Sequence, residues 1–237
     1  MQFFSYLING ISLGSVYALI ALGYTMVYGI AKMLNFAHGD VIMIGSYVVY
    51  FAFGASGLNP VLSIVLSMIV CTILGVVIER LAYRPLREAP SLAVLITAIG
   101  VSYLLQQVAQ LSWSSNPKSF TSVVSGMKPV SLFGGQLTIS AETIVTIVAC
   151  VVIMVVLMWF VNYTPAGHAM LAVSEDRGAA QLMGVNVNGT ISLTFAIGSA
   201  LAAIAGALLC SSYPTLQPTT GAMPGIKAFV AAVFGGI

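Results

Sequence analysis

The feature that most limits the fold of this chain is the recurrence of apolar runs of about 20 residues, the length that an α-helix needs to cross a bilayer. Of the 237 residues, 59% are hydrophobic and only 6% are charged, whereas about 25% of an average soluble domain is charged. So few charges cannot cover a water-soluble domain. A membrane β-barrel would alternate apolar and polar residues in short segments, and the long runs lack that alternation. The sequence therefore predicts an all-α, polytopic transmembrane helical bundle.

Seven candidate spans are separated by connections rich in glycine, proline and polar residues. They cover residues 4–30, 41–53, 61–78, 92–111, 144–161, 191–209 and 226–237. The second and the last are short, and about a dozen residues do not cross a bilayer as a helix. We interpret 1–237 as a single transmembrane domain. We also expect the natural protein to continue past residue 237, because the last span stops so early.

Arginine and lysine in the short connections predict the orientation, because these residues are retained on the cytoplasmic side. If each span crosses once, one side holds Lys32, Arg80, Arg84, Arg87 and Arg177, and the other holds or approaches Lys118, Lys128 and Lys227. This bias places the loops at 79–90 and about 163–189 in the cytoplasm. The N-terminus and the loop at about 112–141 are then extracytoplasmic.

Two spans show an internal similarity, between Gly14 to Ala21 and Gly198 to Ala205. Transporter folds are often built from two related halves, so the similarity indicates a possible internal repeat; chance similarity between helices rich in small residues is the alternative. Small residues also recur at every fourth position in these spans, at Gly10 and Gly14 and at Gly198, Ala202 and Gly206. Such faces let helix backbones approach closely in lipid. We expect them to pack within this chain rather than to form a dimer interface.

Each of these two spans is followed by a polar, irregular segment, 32–40 after the first and 213–225 after the sixth. Irregular backbone at membrane depth is tolerated where protein buries it or water reaches it. Discontinuous, re-entrant segments in equivalent positions of two halves are typical of a translocation path. Plain surface turns are the alternative, above all for the proline-containing second segment.

Three polar residues of the first segment are candidates for a place along or at the mouth of such a path: Asn35, His38 and Asp40. An ionisable residue at membrane depth deserves a functional hypothesis by default. His38 and Asp40 are two residues apart, so on a helix they face different directions. They therefore do not predict a metal site.

The most informative polar stretch is 174–184, in the predicted cytoplasmic loop. Ser174 is placed to cap the N-terminus of a helix, and Gly184 is placed to end it in a left-handed conformation. Glu175 and Asp176 fall in its first turn, where the helix dipole favours acids. The predicted helix has an apolar face formed by Ala179, Leu182 and Met183. It either lies on lipid, for which it carries little basic charge, or docks on a soluble partner.

No catalytic motif is present: there is no G-x-x-x-x-G-K-[ST], no H-E-x-x-H and no G-x-S-x-G. The three cysteines, Cys71, Cys150 and Cys210, lie in or beside apolar runs and support neither a disulfide framework nor a zinc site. The net charge of +2 is too small and scattered to indicate nucleic acid. We expect a non-enzymatic chain without a bound cofactor or metal, whose energy comes from an ion gradient or from another subunit.

Several stretches of the chain are distinctive as sequence. They are 9–29 with the L-N-F-A-H-G-D segment at 34–40, the I-E-R-L-A-Y-R-P-L-R segment at 78–87, the loop at 174–187 and the final stretch 225–237. Together they closely resemble the high-affinity branched-chain amino-acid permeases of ATP-binding cassette (ABC) transporters, over nearly the whole chain and least in 112–141. Related permeases carry urea, short-chain amides or other amino acids, so these substrates stay open.

The resemblance implies a multisubunit importer of the cytoplasmic (inner) membrane. Its parts are this permease in the lipid bilayer, a second permease of similar fold, two cytoplasmic ATPases that bind ATP and Mg, and an extracytoplasmic substrate-binding protein. It also implies that 175–184 is the coupling helix that docks in a groove of an ATPase. The matching positions are Glu175, Asp176, Arg177, Ala179, Ala180 and Gly184. In the common E-A-A-x-x-x-G pattern, Gly178 stands here in place of the glutamate.

An ion-coupled transporter or channel that works alone is the alternative from another functional class. It requires ionisable residues inside the spans, and apart from Asp40, Glu142 and Lys227 the spans contain hardly any. The sequence therefore favours the subunit of an importer driven by separate ATPases. We expect alternating access, in which ATP-driven closure of the ATPases moves the 175–184 helix and with it the bundle.

Overall fold

The computed structural model describes residues 2–124, 129–132 and 137–236 as a bundle of helices. Five helices are long and apolar enough to cross a membrane: Phe3–Ala31, Pro60–Leu86, Ser91–Trp113, Ala141–Tyr163 and Val187–Ser212. All seven predicted spans coincide with helices, although residue 237 at the end of the last one lies outside the described residues. Helical bundle is therefore the correct fold class.

In the described part of the chain, the α-helices are α1 (Gln2–Ala31), α2 (His38–Val49), α3 (Pro60–Ile78), α4 (Ser91–Trp113), α5 (Ala141–Tyr163), α6 (Pro165–Glu175), α7 (Arg177–Leu182), α8 (Val187–Ser212) and α9 (Ala222–Phe234). Wider π-helical turns continue α2 through Tyr50–Ala55 and α3 through Glu79–Tyr83. A short 3-10 turn, Arg84–Leu86, follows. The strands are β1 (Lys118–Ser119), β2 (Val130–Leu132), β3 (Leu137–Ile139) and β4 (Thr215–Leu216).

Polar caps set where several apolar runs begin as helices. Asn59 accepts a hydrogen bond of 2.9 Å from the Val61 amide at the start of α3, where Pro60 has no amide N–H that would need an acceptor. Ser140 caps α5 and Asn186 caps α8 in the same way, each accepting from the amide three residues ahead. These side chains satisfy amides that have no partner within the helix.

Short strands join the loops at one end of the bundle, a feature that the sequence does not predict. β1 pairs antiparallel with β4, and β2 pairs antiparallel with β3. The first pair ties the connection after α4 to the connection after α8, far apart in sequence. Because such a pairing is non-local and only two residues long, it leaves no recognisable periodicity in the sequence.

α8 is the central helix. It packs against α1, α2 and α3, and 72% of its most apolar stretch is buried, compared with 11% of the corresponding stretch of α5. α5 instead turns large apolar side chains outward, including Val152, Val155 and Trp159. In a bilayer these side chains face lipid, so the chain needs no polar covering there.

Two parts of the chain share the order long helix, connection, short helix. α1 leads through the connection 32–37 into α2, and α8 leads through 213–221 into α9. The offset that carries Gly14 onto Gly198 also carries His38, the first residue of α2, onto Ala222, the first residue of α9. The end of α1 lies beside α7, which leads into the start of α8, so the two long helices run in opposite directions. This geometry agrees with the internal similarity in the sequence.

Basic residues gather at one end of the bundle, as the predicted orientation requires. Lys32, Arg87 and Arg177 line one cavity of about 370 Å³ together with Ser91 at the start of α4. Lys118 follows the other end of α4, across its 23 residues. Lys128 lies outside the described residues. The assignment of the basic end to the cytoplasm follows the positive-inside rule.

Candidate functional site: two broken helices and a cytoplasmic loop

The break between α1 and α2 is buried and held by a side-chain hydrogen bond. Lys32 turns the chain out of α1 with a positive φ of 52°. Asn35, which is 4% exposed, accepts a hydrogen bond of 2.8 Å from the Tyr83 hydroxyl in the π-helical turn after α3. The segment is therefore not a plain surface turn, and burial by protein is the condition for irregular backbone at this depth.

His38 begins α2 and packs against α1. Its ring lies 4.6 Å from the ring of Tyr24, centroid to centroid. Only a glycine at position 23 leaves room for it, because a Cβ there would lie 2.5 Å from the Nε2 atom of His38. This nitrogen is buried and has no hydrogen-bond partner among the described residues. A buried nitrogen without a partner is costly, so its position calls for an explanation beyond packing.

Asp40 lies on the opposite side of α2 and faces α4. Its Oδ1 atom accepts a hydrogen bond of 2.8 Å from Gln106, whose amide also approaches Ser102. Asp40 is 1% exposed, and the one salt bridge in the described residues, between Glu79 and Arg87, does not include it. The three candidate path residues thus surround the start of α2 but point to three different neighbours, as the spacing of His38 and Asp40 predicts.

The second break brings the start of α9 against the start of α2. A Cβ at Gly39 would lie 2.6 Å from the carbonyl oxygen of Gly221, and a Cβ at Gly221 would overlap the carbonyl of Gly39. Gly225 approaches the same point, since a Cβ there would lie 3.0 Å from the Gly39 Cα. The two short helices therefore meet N-terminus to N-terminus through bare backbone. No side chain fits between them.

The connection 213–221 is held by backbone strand pairing of β4 with β1 rather than by a side-chain hydrogen bond like that of Asn35. Its first residues, 213–215, are exposed, whereas Leu216, Pro218 and Gly221 are buried. A surface turn and a re-entrant segment, the two alternatives for this stretch, thus each describe one half of it.

A polar cavity of about 500 Å³ opens at the end of the bundle away from the basic cluster. Its wall includes Ser12 of α1, Glu142 and Thr143 of α5, and Ser211 and Tyr213 at the end of α8. Glu142 accepts a hydrogen bond of 3.1 Å from Ser122.

The loop at about 163–189, which the sequence predicts to be cytoplasmic, contains two helices, so the prediction of one helix capped by Ser174 is wrong. Thr164 caps α6, which runs on through Ser174 and Glu175. The chain then turns at Asp176, with φ −150° and ψ 112°, and the Asp176 carboxylate accepts from the amides of Gly178 and Ala179 at 2.7 and 3.0 Å. Aspartate is a strong N-cap with two amides in reach, and the Ser174 hydroxyl instead donates to the Leu171 carbonyl.

α7 presents an apolar surface to solvent. Leu182 is 89% exposed and Met183 is 84% exposed, and Ala179 lies on the same side. Ala180 faces inward and is buried. Gly184 ends the helix with φ 85°, as predicted, and nothing crowds it. The apolar face of the predicted helix is therefore present, on a shorter helix that begins at Arg177.

Two arginines at this end of the bundle link elements that are remote in sequence. Arg177 donates a hydrogen bond to the carbonyl of Ala31, the last residue of α1. Arg87 donates to Asn188 in the first turn of α8 and to the buried carboxylate of Glu79. Burial, and secondarily the charge of Arg87, lower the pKa of Arg177. The two guanidinium groups lie close together on different anchors.

Sequence reasoning missed the functional weight of Glu79 and Arg87. Glu79 is fully buried, and its second carboxylate oxygen accepts 2.6 Å from Ser192 of α8. The available signal was the charge itself, since an acid directly after an apolar run of this length must find a partner. The partner on α8 could not be identified, because it is remote in sequence.

The small-residue faces of the two long helices have different fates. Gly198 packs against Gly23, Gly206 packs against the backbone of Ile42, and Ala202 is buried between them. Gly10 and Gly14 have nothing within 4 Å of where a Cβ would stand. The expectation of packing within the chain is therefore wrong for α1 in the described structure and correct for α8.

No three His, Cys, Asp or Glu side chains come together as a metal site within residues 2–124, 129–132 and 137–236. The three cysteines are buried and free.

Comparisons with known proteins define the family. The family model described as "Branched-chain amino acid transport system / permease component" matches residues 6–237. The high-affinity branched-chain amino acid transport system permease protein BraD of Pseudomonas aeruginosa is 44% identical over 98% of this chain and 78% of its own length. The corresponding protein LivH of Escherichia coli K12 is 41% identical over 100% of this chain and 80% of its own.

A more distant relative comes from an archaeon. The probable branched-chain amino acid transport permease protein LivH of Methanocaldococcus jannaschii is 30% identical over 92% of this chain and 70% of its own length. No solved structure matches this chain.

Proposed function

This chain belongs to the family of permease components of branched-chain amino acid transport systems, and we propose that it forms the membrane path of an ABC importer for branched-chain amino acids. It is a multi-pass protein of the cytoplasmic (inner) membrane. As a permease component it is the membrane-embedded part of a transport system. In our proposal ATP is hydrolysed on two separate cytoplasmic ATPases. A second permease and an extracytoplasmic binding protein complete the importer.

The observation that carries this proposal is the exposed apolar surface of α7. Leu182 and Met183 stand almost fully in solvent at the basic end of the bundle, on a six-residue helix with acids before it. Exposed apolar groups rimmed by polar residues mark protein interaction sites. Because Arg177 of α7 donates to the last residue of α1, a partner that moves α7 also moves the end of α1.

The path in this proposal runs past the meeting point of α2 and α9. The polar cavity with Ser12 and Glu142 is its outer mouth, and the backbone contact of Gly39 with Gly221 closes it in the state described. Asn35, His38 and Asp40 supply polar groups near that closure. A zwitterion passes such a path by exchanging weak contacts, and selectivity belongs mainly to the binding protein that delivers it.

The test uses the assembled importer in its own membrane. Leu182→Gln should abolish uptake of leucine and release the ATPases from the membrane, because the substitution removes the apolar contact of α7. Leu111→Gln is the matched control, because Leu111 is 86% exposed near the end of α4 that lies away from the basic residues. This substitution should leave ATPase binding unchanged. Normal uptake and normal ATPase binding in Leu182→Gln would contradict the docking of α7. We expect substitution of Glu175 or Gly184 to impair coupling while leaving insertion intact.

The substrate and the energy source need separate measurements. Unlabelled isoleucine and valine should reduce the uptake of radiolabelled leucine by competition, whereas urea and short-chain amides should not. The alternative of an ion-coupled transporter rests on Asp40, an intramembrane acid without a charged partner among the described residues. Uptake by this chain alone, driven by a proton or sodium gradient without ATPases, would decide for that alternative.

A further inference from the structure

We propose that Arg177 is the positioning residue that carries the displacement of α7 to the broken segment between α1 and α2, while Arg87 holds α8 as the fixed point. This inference rests on the proposed docking of an ATPase at α7. It gives Arg177, one of the predicted coupling positions, a defined contact inside this chain, and it assigns a role to Arg87, which the translocation path and the docking surface do not require. Both side chains lie at the basic end of the bundle, and together they line two adjoining cavities.

The first link joins α7 to the break. Arg177 is the first residue of α7, and its guanidinium group donates to the carbonyl of Ala31. Ala31 is the last residue of α1, where carbonyls have no partner within the helix. The next residue is Lys32, whose φ of 52° marks the corner. Arg177 therefore forms a hydrogen bond with the chain at the last residue of α1.

The second link is anchored more firmly. Arg87 pairs with Glu79, a carboxylate that is fully buried and also accepts from Ser192 of α8. The other end of the guanidinium group reaches Asn188, in the first turn of the same helix. A buried, multiply bonded ion pair resists separation, because breaking it leaves a charge without a partner. The start of α8 is thus tied to the end of α3.

The chemistry of the two links explains why each uses arginine. A guanidinium group offers five donors in a rigid plane, whereas a lysine ammonium is a flexible point charge. Arg87 and Arg177 also repel each other, since both carry a positive charge a short distance apart. Each has its own acceptor: Arg177 donates to the end of α1, and Arg87 donates to the start of α8. A push on α7 therefore changes the distance between the end of α1 and the start of α8.

The movement has a direct route to the closure of the path. From Lys32 only six residues of connection precede α2, and Gly39 in the first turn of α2 touches Gly221. Because this contact has no side chain between the backbones, a shift of a few ångströms at the start of α2 separates the two short helices. The coupling is mechanical and passes through one hydrogen bond.

The experiment compares Arg177→Gln with Arg177→Lys in the assembled importer reconstituted in proteoliposomes with leucine and ATP. Arg177→Gln should raise the ATP hydrolysed per leucine transported by about tenfold or more, within the range of ordinary coupling energies. Arg177→Lys should restore part of the loss, because an ammonium group still donates to the Ala31 carbonyl. Arg80→Gln is the control, since Arg80 is exposed and has no side-chain partner among the described residues. An unchanged ratio in Arg177→Gln, or a Lys variant as uncoupled as the Gln variant, would overturn the proposal.

A second measurement separates this proposal from the docking on which it rests. Gln181→Cys, at an exposed polar position of α7, is introduced with and without Arg177→Gln, and crosslinking to the ATPase is scored; the native cysteines are buried and do not interfere. Crosslinking that persists in Arg177→Gln, with the raised ATP ratio, supports the relay. Crosslinking with a normal ratio contradicts the relay alone. Absence of crosslinking even in the chain with native Arg177 contradicts docking of α7 itself.

Discussion

In the connection between α1 and α2 only Lys32 is exposed, and the connection leads into His38 and Asp40. The connection between α8 and α9 is about half exposed and contains no acid, lysine, arginine or histidine. The long helices differ in the opposite sense. α8 is packed on nearly all sides, and α1 leaves Gly10 and Gly14 open. The pair α8 and α9 thus supplies the rigid centre of the bundle. The pair α1 and α2 supplies the polar groups and the corner at Lys32 that can move.

Their cytoplasmic ends sharpen this contrast. α8 is held by a buried ion pair with two further hydrogen bonds, and α1 by one hydrogen bond to a main-chain carbonyl. Equal sensitivity of the two anchors to substitution would break the comparison. Four sets of substitutions test the comparison between the two connections and their long helices, and we take them from the largest expected effect to the smallest.

The anchor of α8 should be the most sensitive. Glu79→Ala leaves the Arg87 guanidinium, whose side chain is 12% exposed, without its carboxylate. Removing one partner of a buried ion pair costs about 3–5 kcal/mol, so the free energy of unfolding in detergent should fall by that much. Glu88→Ala, at an exposed acid in the same loop, is the control and should change little. Equal melting of both variants would show that the ion pair does not anchor α8.

The contact between the two short helices should be next, and here the two pairs should behave alike. Gly39→Ala and Gly221→Ala each place a Cβ against the other's carbonyl. Overpacking of this kind costs about 1–3 kcal/mol, and each variant should also lose leucine uptake. Gly54→Ala, with open space around it, controls for the loss of a glycine. If only one of the two variants is impaired, the symmetry of the meeting point is wrong.

The supports of the two connections should differ. Tyr83→Phe removes the donor to Asn35 and leaves a buried amide oxygen unsatisfied, which costs about 1–2 kcal/mol. Tyr213→Phe removes the hydroxyl of an exposed tyrosine in the other connection, which backbone strand pairing supports. Chemical denaturation in detergent measures both. A larger effect for Tyr213→Phe would reverse the assignment of which connection depends on side chains.

The test with the smallest expected effect uses Gly14 and Gly198, the two glycines that the internal similarity aligns. Gly14→Ala meets open space and should stabilise the chain by about 0.5–1 kcal/mol, the helix preference of alanine. Gly198→Ala places a Cβ 3.3 Å from the Gly23 carbonyl, so tight packing offsets that gain. The difference between the two melting temperatures reports how much of the small-residue pattern is used inside this chain. Identical shifts would remove the packing contrast between α1 and α8.

The parts of the fold that can be predicted from sequence are those with a local cause. A 20-residue apolar run is visible in the sequence itself, and so are the breaks that Lys32 and the prolines near residue 214 begin. Gly184 was predictable because its left-handed conformation is set by neighbours in the same turn. The similarity between Gly14 to Ala21 and Gly198 to Ala205 lies on the two long helices that are each followed by a break and a short helix.

Features that depend on contacts between residues far apart in the sequence could not be predicted from the sequence. Ser174 and Asp176 are both good caps, and only the course of α6 decides that Asp176 begins the next helix. The pairing of Glu79 with α8 and the strand pairing of residue 118 with residue 216 depend on how the whole bundle closes. For the same reason Gly10 and Gly198 look alike as sequence and differ in their surroundings.

The meeting of Gly39 with Gly221 has a consequence for how this protein is made. α2 begins with the buried polar residues His38 and Asp40, and the backbone of Gly39 between them has no side chain to cover it until Gly221 packs against it. α2 leaves the ribosome early, and its start must wait for a neighbour that is synthesised much later in the chain. The first short helix therefore completes its packing only when α9 docks against it. A defect in either short helix should consequently be recognised by quality control as an unfinished protein, before transport is ever attempted.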